Sequence, residues 1–355
     1  MKFIHSSDLQ IGKAFGTFSS EVATLLQEAR QTALRALGDA SMAAGASTVL
    51  IAGDVFEREQ MSQSTLLRAL ETMRAFDRLH WHLLPGNHDH YRENGLWDRL
   101  ARALLPPNVH FHVKPGAVAI ADDDGTPVYL LPAPLFFRAS ADDLTAYMAG
   151  APTPERALRI GLAHGSIQGF GSEGDASNYI DPGRAESAGL SYLALGDWHR
   201  QMKVNDRCWY SGTPEPDRFK RPPDAADSLC NGGGALVVEI TGSRMLPNVQ
   251  PVPTGRYKWH QLEKTLTDDA RSSRSNRRFA RWIAIWVRSF WICAPAAVSR
   301  SKAAKRSKTE SFKASAQPCG RFASTNPASC SIRPNRIWMT STAPASSASP
   351  PIGSR

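Results

Sequence analysis

The sequence predicts an α/β fold whose strands carry one site at their carboxyl ends, and three observations support this. Apolar, strand-like runs alternate with stretches of helical spacing over the first hundred residues. This order implies parallel strands joined by right-handed crossovers. Five apolar runs along the chain end in side chains able to bind metal, and such endings meet in one crevice outside an open α/β sheet. We therefore expect one site built from five loops.

The first predicted elements alternate regularly. Met1 to Ser7 is predicted as a strand, and Ser20 to Ala44 as an amphipathic helix, because its apolar residues recur at helical spacing and Gly45 follows as a stop. Thr48 to Ala52 is continuously apolar and β-branched, which is typical of a strand covered on both faces. The next helix is predicted at Ser64 to Leu79 and the next strand at Trp81 to Leu84.

The later predicted elements are shorter. Helices are predicted at Leu96 to Leu104 and Ala141 to Ala149. Met202 to Tyr210 and Ala235 to Thr241 are expected to form a second, more antiparallel sheet. The remaining strands are predicted at Val109 to His112, Ala117 to Ala121, Val128 to Leu131, Leu158 to Ala163 and Tyr192 to Leu195.

The charge is unevenly distributed. The chain has 42 Lys+Arg and 33 Asp+Glu, a net charge of +9. Residues 270–355 hold 16 of the bases and one acid, Glu310, so residues 1–269 hold 26 bases and 32 acids, a net charge of −6. The basic isoelectric point therefore gives no argument for nucleic-acid binding by the first three quarters of the chain.

Cysteine spacing and hydropathy indicate the compartment. The five cysteines contain no CxxC pair, so neither a zinc knuckle nor a disulfide framework is indicated, and a reducing cytoplasm fits. The N-terminus lacks the basic and long apolar regions of a secretion signal. Phe279 to Ile292 is apolar but short and interrupted by arginines, so no membrane span is expected. The cysteines are Cys208, Cys230, Cys293, Cys319 and Cys330.

The composition changes abruptly after Asp269. Residues 270–355 are rich in Arg, Ser, Ala and Pro and show no hydrophobic period, so they are not expected to fold well alone. Three interpretations are open: a nucleic-acid-binding tail, a disordered tail, and an out-of-frame translation of a GC-rich coding region. The tryptophans and cysteines favour the last. The predicted organisation is a catalytic domain at residues 1–251, a linker or start of a C-terminal region at 252–269, and a basic tail at 270–355.

The donors at the strand ends are oxygen and nitrogen without thiolate. This set suits Mn²⁺, Mg²⁺ or Fe better than structural zinc. Seven donors exceed the need of one ion but serve two if one carboxylate bridges, and Asp54 ends the central strand. Each residue alone also fits a structural role as a helix cap, a turn residue or a buried polar group. Five strand ends that all carry such residues favour a metal site. The seven are Asp8, Gln10, Asp54, Asn87, His164, Asp197 and His199.

Five short blocks carry these donors. They are Asp8-x-Gln10, Gly53-Asp54, Gly86-Asn87-His88-Asp89, His164 after an apolar strand, and Gly196-Asp197-Trp198-His199. In order and context they resemble the signature of the calcineurin-like metallophosphoesterases. The strings Phe3 to Asp8, Gly53 to Phe56 and Tyr210 to Pro214 are similar to the DNA-repair exonuclease branch, of the SbcD and meiotic-recombination nuclease type. The resemblance covers about Met1 to Pro251 and implies a four-layer αββα sandwich with two mixed β-sheets.

The resemblance also implies roles for the residues in these blocks. It implies two divalent metal ions, with Mn²⁺ expected and Mg²⁺ or Fe as alternatives, and a metal-bridging water that attacks phosphorus. His88 would stabilise the transition state or protonate the leaving oxygen, and Asp89 would orient His88. The first metal would be held by Asp8, Gln10, Asp54 and His199, and the second by Asp54, Asn87, His164 and Asp197.

Two positions depart from the family pattern, which has histidine at both. Gln10 can donate a carbonyl oxygen, more weakly than imidazole, or lie outside the metal shell. Asp197 adds a negative charge and a hard oxygen donor, which shifts the preference toward Mn²⁺ or Mg²⁺. We therefore expect an altered metal site rather than an inactive one.

The predicted function is metal-dependent phosphodiester hydrolysis as a DNA exonuclease in repair, in the cytoplasm and without membrane association. The resemblance implies DNA and an SMC-like coiled-coil ATPase subunit as partners, and leaves a homodimer open. Two alternatives remain: a small-molecule or cyclic-nucleotide phosphodiesterase, and a non-catalytic scaffold subunit with weakened metal sites. A pocket narrowed by loops near Tyr91 to Trp97 and Phe170 to Ile180 would favour the small substrate, and an open groove would favour DNA.

Overall fold

The computed structural model divides into two units, Met1–Gly255 and Arg256–Arg355. It describes residues 1–103, 105–123, 125–167, 178–218, 232–261, 264–265, 298–300, 330–332 and 337–341, with the backbone alone at 122–123 and from 260 onward. Within these ranges no helix combines the length and the apolar character needed to cross a membrane.

The first unit alternates strands and helices in its N-terminal part and becomes strand-rich later. Its helices are α1 Ser20–Ala44, α2 Gln63–Arg74, α3 Leu96–Arg102 and α4 Arg184–Ser187, with a 3₁₀ helix at Ala146–Gly150. Its strands are β1 Lys2–Ser6, β2 Thr48–Ile51, β3 His80–Leu83, β4 Val109–Phe111, β5 Val118–Asp123, β6 Thr126–Ala133, β7 Leu158–His164, β8 Ser166–Ile167, β9 Tyr179–Ile180, β10 Tyr192–Gly196, β11 Met202–Lys203, β12 Cys208–Tyr210, β13 Gly234–Glu239 and β14 Asn248–Pro253.

Two six-stranded mixed sheets form the centre of this unit. Sheet 1 has the order β14-β13-β1-β2-β3-β4, and sheet 2 has the order β11-β12-β10-β7-β6-β5. In sheet 1 the strands β1 to β4 are parallel, while β13 and β14 run antiparallel beside β1. In sheet 2 the strands β12, β10, β7 and β6 are parallel, and β11 and β5 are antiparallel edges.

The long helix α1 shows how the sequence sets the element boundaries. Its first turn is capped by the Ser19 hydroxyl, which accepts a hydrogen bond from the Val22 amide at 3.5 Å. Gly45 ends the helix in the left-handed region, at φ 67°, where a residue without Cβ is favoured. The face with Leu34 and Leu37 is buried against sheet 1 and α2.

Three apolar cores separate four layers and confirm the predicted fold class. The first core joins sheet 1 to the helices and includes Leu37, Trp81 and Trp97. The second lies between the two sheets and includes Phe3 and Tyr192. The third covers the outer face of sheet 2 with side chains from the 3₁₀ helix and α4. The arrangement is therefore an αββα sandwich.

The predicted pairing of Met202 to Tyr210 with Ala235 to Thr241 is wrong. β13 lies in sheet 1, where Lys2 is opposite Glu239, whereas β11 and β12 form the edge of sheet 2. Successive side chains of β13 are buried alternately in the first and the second core. The strand is therefore apolar on both faces, and its sequence does not indicate which sheet it joins.

Two predicted helices are shorter than expected. The helix predicted at Ser64 to Leu79 ends at Arg74, and the Asn108 side-chain amide donates 3.0 Å bonds to the carbonyls of Met73, Phe76 and Leu79. The region predicted as helix from Ala141 contains a 3₁₀ helix at Ala146–Gly150. Before it, the Asp143 carboxylate accepts a 2.8 Å bond from the Thr145 amide, a local turn that competes with helix.

The second unit contains short strands. β15 Tyr257–Gln261 pairs antiparallel with β19 Ile337–Ser341, and β16 Lys264–Thr265, β17 Val298–Arg300 and β18 Cys330–Ile332 form a three-stranded sheet. Most of residues 270–355 lie outside the described residues, as does Leu104 in the first unit. The domain boundaries and the three interpretations of the tail stay predictions.

Candidate metal centre

The strand ends of the two sheets bring three of the predicted donors together. Asp8 follows β1, Asp54 follows β2, and His164 ends β7. One ligand atom from each residue lies within 4.8 Å of the others, and all three residues are buried. This grouping is the centre of the candidate site.

Four further predicted residues lie around this group. His164 Nε2 is 3.7 Å from Asp54 Oδ2 and 3.8 Å from Asp197 Oδ1. His199 Nε2 is 3.6 Å from Asp8 Oδ1. His88 lies on the other side of Asp54, with 4.0 Å between His88 Nε2 and Asp54 Oδ2. Asn87 directly precedes His88, whose amide donates a 2.9 Å bond to Asp54 Oδ1.

Unsatisfied polar atoms test whether this group fits cations. Asp8 Oδ1, Asn87 Oδ1 and His164 Nε2 are buried and have no hydrogen-bond partner within the described residues. Buried polar atoms are normally hydrogen-bonded, because leaving one unpaired costs free energy. Three such atoms, two oxygens and one imidazole nitrogen, are ligands of the type that Mn²⁺ or Fe accepts. The residues present therefore fit bound divalent cations.

Hydrogen bonds orient both histidines in the site. His164 Nδ1 donates to the Ala52 carbonyl at 2.8 Å, which leaves Nε2 to face the carboxylates. His199 Nδ1 lies 2.8 Å from both Asp217 Oδ2 and Arg218 Nη2, so it donates to the carboxylate or accepts from the guanidinium according to its tautomer. In each ring Nε2 is the nitrogen that points to the carboxylates of the site.

Strained backbone concentrates at these residues. Of the seven non-glycine residues with positive φ in the described part of the chain, four are predicted ligands. Such conformations cost free energy and cluster at functional sites, where the surrounding structure maintains them. The four are Asp8 at 53°, Gln10 at 42°, Asp54 at 52° and Asp197 at 101°.

The electrostatics of the group favour a cation. Burial lowers the pKa of His164, but the carboxylates of Asp54, Asp8 and Asp197 outweigh it and raise the pKa to about 9. Burial also raises the pKa of Asp54, and the nearby Asp8 raises it further. The shift of His164 is electrostatic and the shift of Asp54 comes first from burial, and in both the neighbouring carboxylates add to the rise in pKa.

Asp89 shapes the loop that carries Asn87 and His88. Its Oδ1 accepts from the Gly86 amide at 2.7 Å and its Oδ2 from the Phe56 amide at 3.0 Å. Burial, followed by the charge of Asp54, raises the pKa of Asp89 to about 7. The His88 ring is held by the Glu57 carbonyl, to which Nδ1 donates at 3.0 Å. Asp89 thus acts on His88 through the loop backbone.

Gln10 contacts the basic side chain of Lys13. Its Oε1 accepts a 2.7 Å bond from Lys13 Nζ, so the ammonium group contacts the oxygen predicted to bind metal. The role of Gln10 as a ligand stays a prediction, as do the assignments of the other ligands to a first and a second ion.

The sequence interpretation missed the cationic network behind His199. Asp217 Oδ2 lies 3.0 Å from Lys13 Nζ and 3.6 Å from Arg30 Nη2, and the Arg30 side chain is fully buried. Burial raises the pKa of Asp217, but His199, Arg30 and Arg218 hold it well below the usual range. The available signal was its position three residues after the Tyr210 to Pro214 string.

That string lies beside the site. The Thr213 hydroxyl donates to the Asp8 carbonyl at 2.9 Å, and the Ser211 hydroxyl donates to the Ser7 hydroxyl at 3.0 Å. The Ser7 hydroxyl in turn donates to Asp8 Oδ2 at 2.6 Å. The turn after β12 therefore holds the Asp8 loop in place.

The fold and the grouped donors define an α/β protein with a candidate metal site, and comparison with known proteins adds to this description. Residues 1–167 match the family described as calcineurin-like phosphoesterase. The chain is therefore similar to this family over its first 167 residues, which include Asp8, Asp54 and His164. It ends before the block that contains Asp197 and His199. No curated protein gives a significant match.

Several solved structures are similar at low sequence identity. The protein TT1561 of Thermus thermophilus is 10% identical over 71% of this chain and 98% of its own, with a TM-score of 0.43. GAP50, described as the anchor in the inner membrane complex of Plasmodium, is 11% identical over 72% and 84%, with a TM-score of 0.46. Purple acid phosphatase PPD1 from yellow lupin seeds is 11% identical over 72% and 51%, with a TM-score of 0.44. At these TM-scores the similarities carry no argument about function.

Proposed function

We propose that this chain is a two-metal phosphodiesterase that degrades DNA as an exonuclease in repair. The observation that carries the proposal is the set of three buried, unpartnered donor atoms on Asp8, Asn87 and His164. A phosphoesterase is supported by the family match. DNA as the substrate is supported by the resemblance of the blocks to the exonuclease branch, including the turn that binds the Asp8 loop.

The carboxylates and imidazoles would hold the cations, and hard oxygen donors favour Mn²⁺. Asp8, Asp54 and His164 lie close enough to share ions, with Asp197 and His199 at the margins. When bound, two divalent cations supply Lewis-acid polarisation of the phosphate ester and neutralise its charge.

His88 is the residue placed to move a proton. Its Nδ1 is occupied by the Glu57 carbonyl, so Nε2 is the atom that faces the site, and its side chain is 27% exposed. A substrate phosphate can therefore reach Nε2 from solvent. In the proposed reaction His88 delivers a proton from Nε2 to the leaving oxygen, a general-acid step that contributes roughly 10²–10⁴-fold in rate.

The partners follow from the same proposal. We propose DNA and an SMC-like coiled-coil ATPase subunit as partners and the cytoplasm as the location, and the proposal leaves a homodimer open. The loop near Phe170 to Ile180, which bears on the choice between DNA and a small substrate, lies mostly outside the described residues.

A second candidate function is a non-catalytic scaffold subunit, and one contact favours it. The Gln10 oxygen is bonded to Lys13, so one of the seven predicted donors is engaged by a cationic side chain. Metal content separates the candidates: fewer than one Mn, Fe or Mg per chain under saturating conditions supports the scaffold.

The experiment that tests the enzyme is Mn²⁺-dependent digestion of end-labelled duplex and single-stranded DNA, beside bis-p-nitrophenyl phosphate as a small diester. The parent chain is compared with His88→Ala and Asp54→Ala. We expect DNA cleavage by the parent and large losses in both variants. Cleavage of the small diester alone would contradict the DNA substrate. Cleavage of neither substrate by the parent, or cleavage by both variants as efficient as by the parent, would contradict the enzyme.

A further inference from the structure

A second cluster of metal-binding side chains lies on sheet 1, outside the candidate metal centre. His80 and His82 are on β3, and His110 lies on the neighbouring parallel strand β4, with His112 directly after it. His82 is opposite His110 in the register. Because side chains alternate along a strand, these four share the face opposite to Trp81 and Leu83, which pack in the core with the helices. We call this set the histidine ladder.

The rings of the ladder stack in one column. The ring centroids of His80 and His110 are 5.6 Å apart, those of His110 and His82 are 4.8 Å apart, and those of His82 and His112 are 5.1 Å apart. Their interplanar angles are 22°, 21° and 19°. The column runs from an exposed end at His80 to a buried end at His112. Stacking on His82 therefore positions the His110 ring beside His80.

The outer pair has the separation of two ligands on one ion. His80 Nδ1 and His110 Nε2 are 3.3 Å apart, a hydrogen bond that a shared ion would replace. Two nitrogens that each lie about 2.0–2.1 Å from one zinc ion are separated by about 2.9 Å at a right angle and about 3.3 Å at the tetrahedral angle. The pair is near this distance before any ion binds, and His80 is exposed, so an ion and its waters have access.

The inner pair supports the outer pair. His82 Nδ1 and His112 Nε2 are 2.9 Å apart, the length of a hydrogen bond between two neutral rings. Burial, followed by the neighbouring histidines, lowers the pKa of His82 to about 2 and that of His112 to about 4. The hydrogen bond between His82 and His112 therefore holds the inner pair in place behind the outer pair.

We propose that His80 and His110 form a binding site for a borderline divalent transition-metal ion such as Zn²⁺, with His82 and His112 behind them as support. Imidazole ligands suit Zn²⁺, Cu²⁺ and Ni²⁺, whereas the carboxylate-rich centre suits Mn²⁺ and Mg²⁺. In this proposal the histidine ladder binds a borderline ion such as Zn²⁺, and the candidate metal centre binds Mn²⁺ or Mg²⁺. This proposal is independent of the proposed function, since it holds whether or not the candidate metal centre is catalytic.

The test loads the full chain with Mn²⁺, titrates it with Zn²⁺, and measures both metals per chain by mass spectrometry after gel filtration. The parent is compared with His80→Gln/His110→Gln, and with His260→Gln, which removes a histidine of β15 in the second unit. We expect the parent and His260→Gln to bind one zinc more than the double variant, in addition to any zinc that replaces manganese at the candidate metal centre. The zinc affinity of the double variant should fall at least tenfold at the ladder.

Equal zinc content and affinity in the parent and the double variant would overturn the proposal, as would zinc uptake only at the expense of manganese. A second measurement covers the case in which the double variant does not fold. In the nitrogen-15 spectrum of the parent, the ring signals of His80 and His110 should shift first as zinc is added. Ring signals that stay in place up to one equivalent of zinc would equally refute the site.

Discussion

Asp217 Oδ2 lies 2.8 Å from Nδ1 of His199, and this buried carboxylate fixes the imidazole with Nε2 toward Asp8. Lys13 and Arg30 lie 3.0 and 3.6 Å from the same oxygen. The carboxylate therefore keeps its charge although it is buried. A carboxylate behind a ligating histidine increases the basicity of the ring and maintains its orientation.

We predict that Asp217→Asn lowers Mn²⁺ affinity by about 10–100-fold, the usual effect of losing such a partner. Equilibrium dialysis with Mn²⁺ measures it. Asp206→Asn is the matched control, because Asp206 is exposed and bonded only to Lys203 at 2.7 Å among the contacts of its side chain in the described residues. An affinity of Asp217→Asn within twofold of this control would show that Asp217 does not support a ligand.

Arg30 connects α1 to two loops of the site. Its guanidinium donates to the Leu9 carbonyl at 2.6 Å, to the Asp8 carbonyl at 3.2 Å and to the Glu215 carbonyl at 3.4 Å. We predict that Arg30→Ala lowers the free energy of unfolding by about 3 kcal/mol or more, because a buried charge partner and several acceptors are left unpaired.

Urea denaturation measures the effect of this change. The control is Arg35→Ala, on the same helix but exposed, which should change the free energy of unfolding by less than about 0.5 kcal/mol. Similar losses in the two variants would mean that the buried contacts of Arg30 contribute little.

The sequence contained enough information to predict the layers and the order of the donors. A continuous apolar strand such as Thr48 to Ile51 must be covered on both faces, and parallel strands place their endings at one edge. Asp8, Asp54 and His164 followed from that rule, because each stands at or just after a strand end.

The other features depend on contacts between distant parts of the chain. Asp217 approaches His199 through a loop that has no strand pattern, so its role depends on tertiary packing. The sheet membership of β13 was also not predictable, because Ala235 and Leu236 are both fully buried, in different cores. The hydrogen bond from Lys13 to Gln10 depends on the conformations of both side chains, which the spacing of the two residues in the sequence does not determine.

The buried His5 is expected to make the free energy of unfolding depend on pH. It is buried, with Nδ1 2.9 Å from the Tyr192 hydroxyl and Nε2 3.2 Å from the Leu195 carbonyl. Burial lowers its pKa from 6.5 to about 3, although the Leu195 bond and Asp8 act in the opposite direction. As the pH falls below 6.5 the unfolded chain takes up a proton at this ring, whereas the folded chain does not.

The contribution of His5 to stability is therefore present above pH 6.5 and is lost as the pH falls toward 3. We predict that the unfolding free energy of the parent falls more steeply than that of His5→Asn, by up to about 1.4 kcal/mol per pH unit. Urea denaturation at pH 7.5, 6.0 and 5.0 measures both slopes. Parallel curves for the two chains over this interval would rule out the effect.

Gly53 lies where the chain leaves β2 and turns into Asp54, at φ 86°. A Cβ at this position would lie 2.2 Å from His164 Nδ1, the atom that bonds to the Ala52 carbonyl. Gly45 is a matched position, since its φ is 67° and a Cβ there would meet nothing within 4 Å. Gly45→Ala should therefore cost only the backbone strain, about 1–2 kcal/mol. Gly53→Ala should cost clearly more and displace the His164 ring. Urea denaturation measures the loss of unfolding free energy in both variants, and Mn²⁺ binding measures the displacement of the His164 ring. If Gly53→Ala lowers the unfolding free energy no more than Gly45→Ala, the His164 ring moves aside without cost.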